Sequence, residues 1–600
     1  MRLPSNEELT TYSQEVPWDE VEQKRRQFNR ALDSARVGQG VDDHLPLAEF
    51  SEAVGSPVTT LYDSGNLNSG NVLITSINGH PVVLASVVSS RYRAGYDFLK
   101  SLVPYNLNPS VNHTNIKTTD DPVTRLRVLG AEIELGLVHQ DGSSPTEAEV
   151  QGFMQAYYRQ AVRIGIHPHL DREACMYQVE AHIAPSVGYH KTRMALTGIL
   201  TSIAASSRET GLRSLVFSCY PTKSDFRMTD NAKVDTAVDL MLEVNGMFPE
   251  YGKLLAEAQA RYHVDPATTH HVNMFRNQGT HIHIDVAGRS EGLGMLTFFT
   301  VLRSATAVAN GATLKGCPFV NGTCDSELLD AREYIRATTA TGRYLDLPLS
   351  PHLSPNGLEN YGELLVLERA NATGRANMYN DDLGKPISVM HNPIGRLRPD
   401  LGSSKRVCTV ESTGMPTNIS ASRMAAVLID FEFSHVVIEL YFRKHGCDLE
   451  AMHADPMMWD LFGPIETMAF RHLQDMSDRV GTDLVIKLNS GREMPLAEFY
   501  ELKRRFMHRA LIDVPEISPR DIDEVYSSFS RMLEPPSGYV AQTIEDFLKD
   551  PKMRSTGNWG QILKNSYIEA GGVVGEHHPD AVLSVVNRTH EALCERYLDS

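Results

Sequence analysis

The sequence of 600 residues lacks several features that would place a protein in a common class at once. It contains no run of about 18 apolar residues, so no segment is predicted to span a membrane. The first residues are polar and acidic and lack the apolar centre of a signal peptide, which favours a cytoplasmic location. The 7 cysteines form no C-x-x-C pair and their number is odd. A reduced compartment is therefore favoured, with Cys317 and Cys324 as the one pair near enough in sequence for a disulfide or redox role.

An excess of positive charge is also missing. The chain has 57 Lys and Arg against 75 Asp and Glu, and a formal net charge of −18. Broad binding to nucleic acid or to an anionic membrane needs a cationic surface, so neither partner is expected. A small basic pocket for a nucleotide remains compatible with this composition. The hydrophobic content of 42% is that of an ordinary globular protein.

The common catalytic signatures are absent as well. The chain has no P-loop, no dinucleotide-binding glycine fingerprint, no G-x-S-x-G nucleophile turn and no H-E-x-x-H zinc motif. A bound nucleotide would therefore be held in another way. A zinc hydrolase is disfavoured, because the clustered histidines alone supply too few ligands.

The changing pattern of the chain predicts an α+β protein in three parts. Residues 1–120 form an N-terminal α/β module with a hairpin at Asn78-Gly79, residues 121–445 form an α+β core, and residues 446–600 are mainly helical. Helices are expected near 145–165, 190–210, 233–260, 291–310, 325–339 and 495–511. The helix at 495–511 has an apolar stripe that should pack on its own domain, and Lys503, Arg504 and Arg505 are expected on its solvated face.

Two carboxylates two residues apart define the first candidate site. Glu132 and Glu134 lie in "RVLGAEIELGLV", an apolar segment predicted to be a strand over 126–138. Residues i and i+2 of a strand point to the same face, so the two carboxylates would stand side by side. Like charges at that spacing destabilise each other unless a cation lies between them.

Three further segments repeat this mixture of apolar and polar residues. "GTHIHID" places His281 and His283 on one strand face, "YQVEAHIAPS" contains Glu180, and "RVCTVESTG" ends a β-branched run at Glu411. Each of these alone is as well explained by a structural histidine or a solvated glutamate. Together they predict a sheet face that binds divalent cations. Its oxygen-rich ligands favour Mg²⁺ or Mn²⁺ over zinc.

Arginines cluster in two later segments and predict recognition of phosphate or carboxylate groups. "DAREYIRATTATGRY" contains Arg332, Arg336 and Arg343, and "HNPIGRLRPDLGSSKR" contains Arg398 and Arg406. The planar guanidinium group suits bidentate contacts with such anions. About half of these arginines are expected to be ordinary surface charges.

The order of these segments resembles the glutamate–cysteine ligase family of carboxylate–amine ligases, relatives of glutamine synthetase. The resemblance spans roughly residues 126–440. It is carried by "GAEIELG", "YQVEAHIAPS", "GLRSLVFSCYPT", "GTHIHID" and "RPDLGSSKRVCTVE". It implies a cupped antiparallel sheet with helices on the convex face, and a concave face that binds ATP and Mg²⁺.

The resemblance also implies roles for individual residues. The implied metal ligands are Glu132, Glu134, Glu180 and Glu411, and the implied nucleotide contacts are His281, His283 and Arg398. In this chemistry the γ-phosphoryl group of ATP passes to a substrate carboxylate, usually the γ-carboxylate of glutamate, and an amine then attacks the acyl phosphate. Arginines stabilise the transferring phosphoryl group. The candidates for that role are Arg336, Arg343 and Arg406.

The sequence departs from the family pattern near the last glutamate, and the arginine-rich "DAREYIRATTATGR" also replaces the usual substrate-loop pattern. Family members usually have a basic residue two positions after that glutamate, where this chain has Thr413. These departures leave the amine open, with cysteine or another amino acid as candidates. Two alternatives also remain: a phosphotransferase or protein-ligating relative of the same fold, and a nucleotide-binding protein without catalysis. The oligomeric state is left open.

Overall fold

The structure of the protein is a computed structural model. It describes most residues between 129 and 229, together with short strands before residue 88. Beyond these it describes residues 249–265, 275–285, 297–338, 396–399, 408–445, 449–514, 517–533, 541–549 and 557–599, with single gaps. Arg343 and Arg406 lie outside the described residues, and of Arg398 only the backbone is described.

The strands are numbered in chain order. They are β1 (Leu45–Pro46), β2 (Val58–Thr60), β3 (Asn66–Leu67), β4 (Asn71–Ile77), β5 (His80–Val87), β6 (Leu129–Val138), β7 (Leu170–Arg172), β8 (Gln178–His182), β9 (Arg213–Leu215), β10 (Gly279–Asp285), β11 (Phe319–Val320), β12 (Thr323–Cys324), β13 (Arg396–Pro399), β14 (Cys408–Pro416), β15 (Val485–Lys487) and β16 (Glu493–Pro495).

The α-helices follow the same numbering. They are α1 (Glu147–Ile164), α2 (Tyr189–Thr210), α3 (Pro249–Arg261), α4 (Ala305–Leu314), α5 (Arg332–Arg336), α6 (Ala421–His445), α7 (Leu449–Ala454), α8 (Pro456–Phe462), α9 (Thr467–Val480), α10 (Leu496–Ala510), α11 (Pro519–Leu533), α12 (Ile544–Lys549), α13 (Trp559–Glu569) and α14 (Pro579–Leu598).

A seven-stranded antiparallel sheet organises the middle of the chain. Its order is β13-β14-β10-β6-β8-β7, and β9 pairs with the far end of β6. The mixture of this sheet with helices confirms the expected α+β class. The hairpin predicted in the N-terminal part is confirmed too, because Ile77 of β4 pairs with His80 of β5.

One face of the large sheet is apolar and covered. Ile133 of β6, and Ile282 and Ile284 of β10, are fully buried on it. Helix α6 packs against this face, where the Thr280 hydroxyl donates to the Met424 sulfur at 3.4 Å. Because side chains alternate along a strand, the remaining positions of β6 and β10 point to the opposite face. That opposite face carries the glutamates and histidines.

Local signals set the ends of the first core helix, α1. The Thr146 side chain accepts a hydrogen bond from the Glu149 amide at 3.3 Å, and the Glu149 carboxylate accepts one from the Thr146 amide at 2.7 Å. This reciprocal pair satisfies amides that the first turn leaves free. Gly165 ends the helix at φ 81°, a left-handed conformation that glycine adopts without steric cost. The prediction for 145–165 is confirmed.

The helix expected over 325–339 is wrong in its first half. Of that segment, the described residues are helical only over Arg332–Arg336. The Asp325 carboxylate accepts hydrogen bonds from the amides of Glu327 and Leu328, both at 2.8 Å, and from Arg261. A buried aspartate that binds its own following amides holds the chain in a turn instead of a helix.

The solvated face expected for Lys503 is also wrong. Helix α10 forms as predicted and most of its apolar stripe is buried, but Lys503 is fully buried with it. Its ammonium group pairs with the equally buried Asp430 of helix α6. Lys503 follows Phe499 by four residues and Leu496 by seven, so the helical period itself places it on the buried face.

Cys317 and Cys324 are free and buried, so the disulfide considered for them does not form. Among the residues that the structure describes, no helix has the length and apolar character needed to cross a membrane.

Candidate functional site

The register of the sheet collects the predicted glutamates and histidines on one face. Glu132 of β6 lies opposite His281 of β10 on one side and opposite His182 of β8 on the other. Glu134 of β6 lies opposite Glu180 of β8. We call the set of Glu132, Glu134, Glu180, His281, His283 and Glu411 the carboxylate cluster.

His281 lies at the centre of the carboxylate cluster. Its Nδ1 atom is 3.0 Å from Glu132 Oε2 and 3.3 Å from Glu180 Oε1. The other ring nitrogen, Nε2, is 3.3 Å from Glu134 Oε1. The side chain of His281 is only 8% exposed. One imidazole therefore contacts carboxylates from two other strands.

His283 and Glu411 complete the cluster on its other side. They face each other across β10 and β14, and Nε2 of His283 is 3.1 Å from Glu132 Oε1. Glu411 is fully buried, with one oxygen 3.6 Å from His281 Nδ1. Gly130 lies opposite His283 on β6, where an added Cβ would come within 3.3 Å of the His283 Cβ. The glycine leaves the space that the histidine ring needs.

Arg332, which was not among the predicted catalytic arginines, is buried beside the carboxylate cluster and holds the backbone of two neighbouring segments. Arg332 donates to the backbone oxygens of Gln278, at 3.0 Å, and Thr413, at 2.6 Å. Thr413 lies in the register shift between β10 and β14, which frees its carbonyl from the ladder. The Gly279 amide donates to Glu134 Oε2 at 2.6 Å, and a Cβ at Gly279 would lie 2.7 Å from the Arg332 guanidinium.

Burial and mutual repulsion give the glutamates different pKa values. Burial opposes ionisation of Glu132, but His283 and His281 outweigh it and hold the pKa of Glu132 well below its ordinary value. For Glu180, burial and repulsion by Glu173 and Glu132 raise the pKa well above its ordinary value. The neighbouring carboxylates thus cannot all be charged at little cost without added positive charge.

The pKa of His281 shifts in the opposite sense to that of an isolated buried histidine. Burial alone would lower it, but Glu134 and Glu132 raise the pKa of His281 well above its ordinary value. An imidazolium at this position supplies one positive charge to a cluster with four carboxylates. The cluster is therefore short of positive charge.

The donor set fits a divalent metal ion. Glu134, Glu180 and His281 offer ligand atoms that all lie within 4.8 Å of one another, and so do Glu132, His283 and Glu411. Carboxylate oxygens are the ligands that Mg²⁺ and Mn²⁺ prefer, and a cation would offset the burial and the repulsion that raise the pKa of Glu180. All the carboxylates that the sequence predicted as ligands take part in these two groups.

Of the predicted catalytic arginines, Arg336 is the one that the structure describes. Its guanidinium contacts Glu333 at 3.0 Å and the carbonyl oxygen of Thr413 at 3.4 Å. Its positive charge also acts on Glu134, so it lies on the Glu134 side of the cluster.

Three residues at the edge of the cluster were missed or passed over as site residues by the sequence analysis. His182, two residues after Glu180 in "YQVEAHIAPS", has Nδ1 3.5 Å from Glu132 Oε1. Asp171 of β7 lies opposite Glu180, and His169 contacts Asp171. The pattern H-x-H-x-D at 167–171 resembles the paired arrangement that identified His281 and His283, and it was the available signal.

Comparisons with known proteins gave similarity in structure only. No family model matches the chain. No curated protein matches it. The chain is similar to the bifunctional glutathione synthetase from Pasteurella multocida, with a TM-score of 0.43 and 13% identity, over 81% of this chain. It spans about half of that protein, 54% of its length.

Two other solved structures are similar over comparable lengths. The ligase PafA, in complex with the prokaryotic ubiquitin-like protein Pup, has a TM-score of 0.35 and 12% identity, over 76% of this chain and 71% of that one. The glutamate–cysteine ligase from Francisella tularensis, in complex with AMP, has a TM-score of 0.37 and 11% identity, over 78% of this chain and 93% of that one.

Proposed function

We propose that the protein is an ATP-dependent carboxylate–amine ligase. The observation that carries the proposal is the carboxylate cluster: glutamates from β6, β8 and β14 meet two histidines on one face of an antiparallel sheet. Binding of a metal–nucleotide complex explains this excess of negative charge better than a structural role does. The substrates proposed are ATP, a glutamate-like carboxylate and the amine of an amino acid, cysteine included.

The proposed metal ligands are Glu132, Glu134, Glu180 and Glu411. Mg²⁺ bound there would neutralise charge on the ATP phosphates during phosphoryl transfer. His281 and His283, as N–H donors on the same face, would orient phosphate oxygens, and Arg398 is proposed to help bind the nucleotide. We place this chemistry in the unit of residues 121–445, between the proposed units 1–120 and 446–600.

Arginine supplies the remaining positive charge. Arg336 lies beside the cluster, and its charge would stabilise the phosphoryl group as it moves from ATP to the carboxylate. Arg343 and Arg406 are proposed for the same role on the strength of the sequence. An acyl phosphate is hydrolysed readily, so the site must limit water. The side chains of Glu132, Glu134, Glu180 and His281 are only 8–17% exposed, which is consistent with that need.

ADP release is the direct test. The full chain would be assayed with ATP, Mg²⁺ and glutamate across a panel of amines that includes cysteine. Amine-dependent ADP release with an amide product supports the ligase. A stable phosphorylated product would instead identify a phosphotransferase, and ATP binding without any turnover would indicate a non-catalytic protein.

A matched pair of variants links turnover to the cluster. Glu132→Gln removes one charge and keeps the side-chain shape, and we expect turnover to fall by about 10²- to 10³-fold, the usual loss for one well-placed electrostatic group. Glu498→Gln is the control, because that glutamate is 62% exposed on helix α10. Equal activity of Glu132→Gln and wild type would exclude the cluster as the site.

A further inference from the structure

A second group of ligand-type side chains lies at the edge of the sheet, beside the carboxylate cluster. It consists of His169, which directly precedes β7, Asp171 within β7, and His182 at the end of β8. We call these three residues the rim cluster. Nε2 of His169 is 3.0 Å from Asp171 Oδ2, and Nε2 of His182 is 3.3 Å from the same oxygen. The proposed ligase reaction makes no use of these three residues.

The backbone holds the rim cluster in place. Strands β7 and β8 are antiparallel, with Leu170 opposite Ala181 and Asp171 opposite Glu180. The amide of His182 also donates to the carbonyl of His169 at 3.2 Å, which extends the ladder by one pair. His169 and His182 are thus cross-strand neighbours, and their rings stack with centroids 4.2 Å apart and planes 16° from parallel. To share an ion, one ring must turn about its Cβ–Cγ bond so that both Nε2 atoms face the same point, and the half-exposed His169 has room to do so. Asp171, two residues after His169, shares its face.

We propose that the rim cluster is a binding site for a transition-metal cation of the Zn²⁺ type, separate from the Mg²⁺ site. Two imidazole nitrogens and one carboxylate are ligands that Zn²⁺ binds readily, whereas the carboxylate cluster is mostly oxygen. In a tetrahedral site with metal–nitrogen bonds of about 2.0–2.1 Å, the ligand atoms lie roughly 3.3–3.4 Å apart. The distances of 3.0 and 3.3 Å from Asp171 Oδ2 to the two histidine nitrogens are close to that spacing.

The surroundings of His182 fit the role of a metal ligand. Its Nδ1 atom faces Glu132 Oε1 at 3.5 Å, so a carboxylate orients the ring, and Nε2 lies 3.3 Å from Asp171 Oδ2 and 3.7 Å from Glu180 Oε2. Ligand histidines in proteins commonly have such a carboxylate behind the second nitrogen. The Nε2 atom of His182 is shielded from solvent, and its nearest side-chain oxygen is Asp171 Oδ2 at 3.3 Å.

The exposure of the cluster leaves one position open. The side chains of His169 and Asp171 are 43% and 55% exposed, while His182 is 18% exposed. Three protein ligands with an open side allow a fourth ligand from water or from a substrate group. The contact of His182 with Glu132 joins this site to the carboxylate cluster, so an ion at the rim would also affect the charge balance of the main site.

Metal binding tests the proposal without any assay of turnover. The full chain is freed of metal with a chelator and then titrated with Co²⁺, whose visible absorption reports tetrahedral coordination, and with Zn²⁺ in equilibrium dialysis under excess Mg²⁺. We expect one Zn²⁺ retained per chain in the presence of Mg²⁺. His169→Gln and Asp171→Asn should weaken that binding at least tenfold.

Two controls separate the rim from its surroundings. His167→Gln removes the neighbouring exposed histidine, whose ring centroid is 5.6 Å from that of His169, and should leave binding unchanged. Glu134→Gln alters the carboxylate cluster and should also keep the rim ion. No retained Zn²⁺ in wild type, or equal retention in wild type and His169→Gln, overturns the proposal. Because the readout is binding, failure of the ligase assay would leave this result standing.

Discussion

Two buried groups of charged residues in this protein differ in their charge balance. Between helices α6, α10 and α11, Asp430 accepts hydrogen bonds from Lys503 and from Tyr526, and Lys503 also donates to Ser434. One negative charge meets one positive charge, and both oxygens of the aspartate have partners. On the polar face of the sheet, four carboxylates meet two histidines, and negative charge is in excess.

The difference separates a structural group from a functional one. Buried charges are tolerated for stability when each is paired and hydrogen-bonded, as Asp430 and Lys503 are. A group that is left short of positive charge costs stability, and folded proteins keep such groups where a ligand completes them. The following predictions test this contrast, beginning with the largest expected effect.

The balanced group should break when one partner is removed. Lys503→Met leaves Asp430 charged, buried and unpaired, and we expect the free energy of unfolding to fall by about 3–5 kcal/mol. Chemical denaturation at neutral pH measures it. Adding Asp430→Asn to that variant should recover part of the loss, because the orphaned charge is removed.

The control for this experiment lies two residues along the same helix. Arg505→Met alters a side chain that is 64% exposed, and its effect should stay within about 0.5 kcal/mol. If Lys503→Met were as mild as Arg505→Met, the pair would not be a stabilising element of the fold.

A buried histidine outside the site should make stability depend on pH. His590 accepts a hydrogen bond from the Ser214 amide at Nδ1, and burial, with Arg213 and Arg208 nearby, lowers the pKa of His590 to about 3. The unfolded chain binds this proton near pH 6.5, so the stability held above that pH falls as the pH drops from about 6.5 towards 3.

The expected slope is at most about 1.4 kcal/mol per pH unit within that window. His590→Asn keeps an acceptor for the Ser214 amide and removes the titration, so its unfolding free energy should depend less on pH than that of wild type. Parallel pH profiles for the two proteins would contradict the assignment.

The unbalanced group should respond in the opposite sense to the loss of a charge. Glu180→Gln removes one of the repelling carboxylates, and without divalent metal we expect the free energy of unfolding to rise by about 1 kcal/mol. Glu132→Gln instead removes the partner of His281 and His283 and should lower stability. Thermal unfolding in a chelator compares the two variants.

Added Mg²⁺ should reverse the ranking. Wild type is expected to gain stability because a ligand that binds the folded state shifts the equilibrium, and Glu180→Gln should gain less. A gain equal to that of wild type would mean that Glu180 does not contribute to metal binding.

Much of the site could be predicted because strand alternation is a local property. The i, i+2 spacing placed Glu132 beside Glu134 and His281 beside His283, and Ile282 and Ile284 are buried on the other face as the pattern required. The same analysis missed Asp171 and His169. They enter the site only because β7 pairs with β8. The local sequence pattern does not predict which strand pairs with which.

The sequence by itself determined the α+β class, the hairpin at residues 71–87, the ends of helix α1 and the pairs of polar residues on each site strand, because periodicity and capping depend on near neighbours. Only the tertiary structure decided that His281 contacts four glutamates of other strands, that Arg332 is buried against the bulge at Thr413, and that Lys503 pairs with Asp430. Those outcomes depend on charge and desolvation between segments that meet only after folding, and these forces act through space and not along the chain.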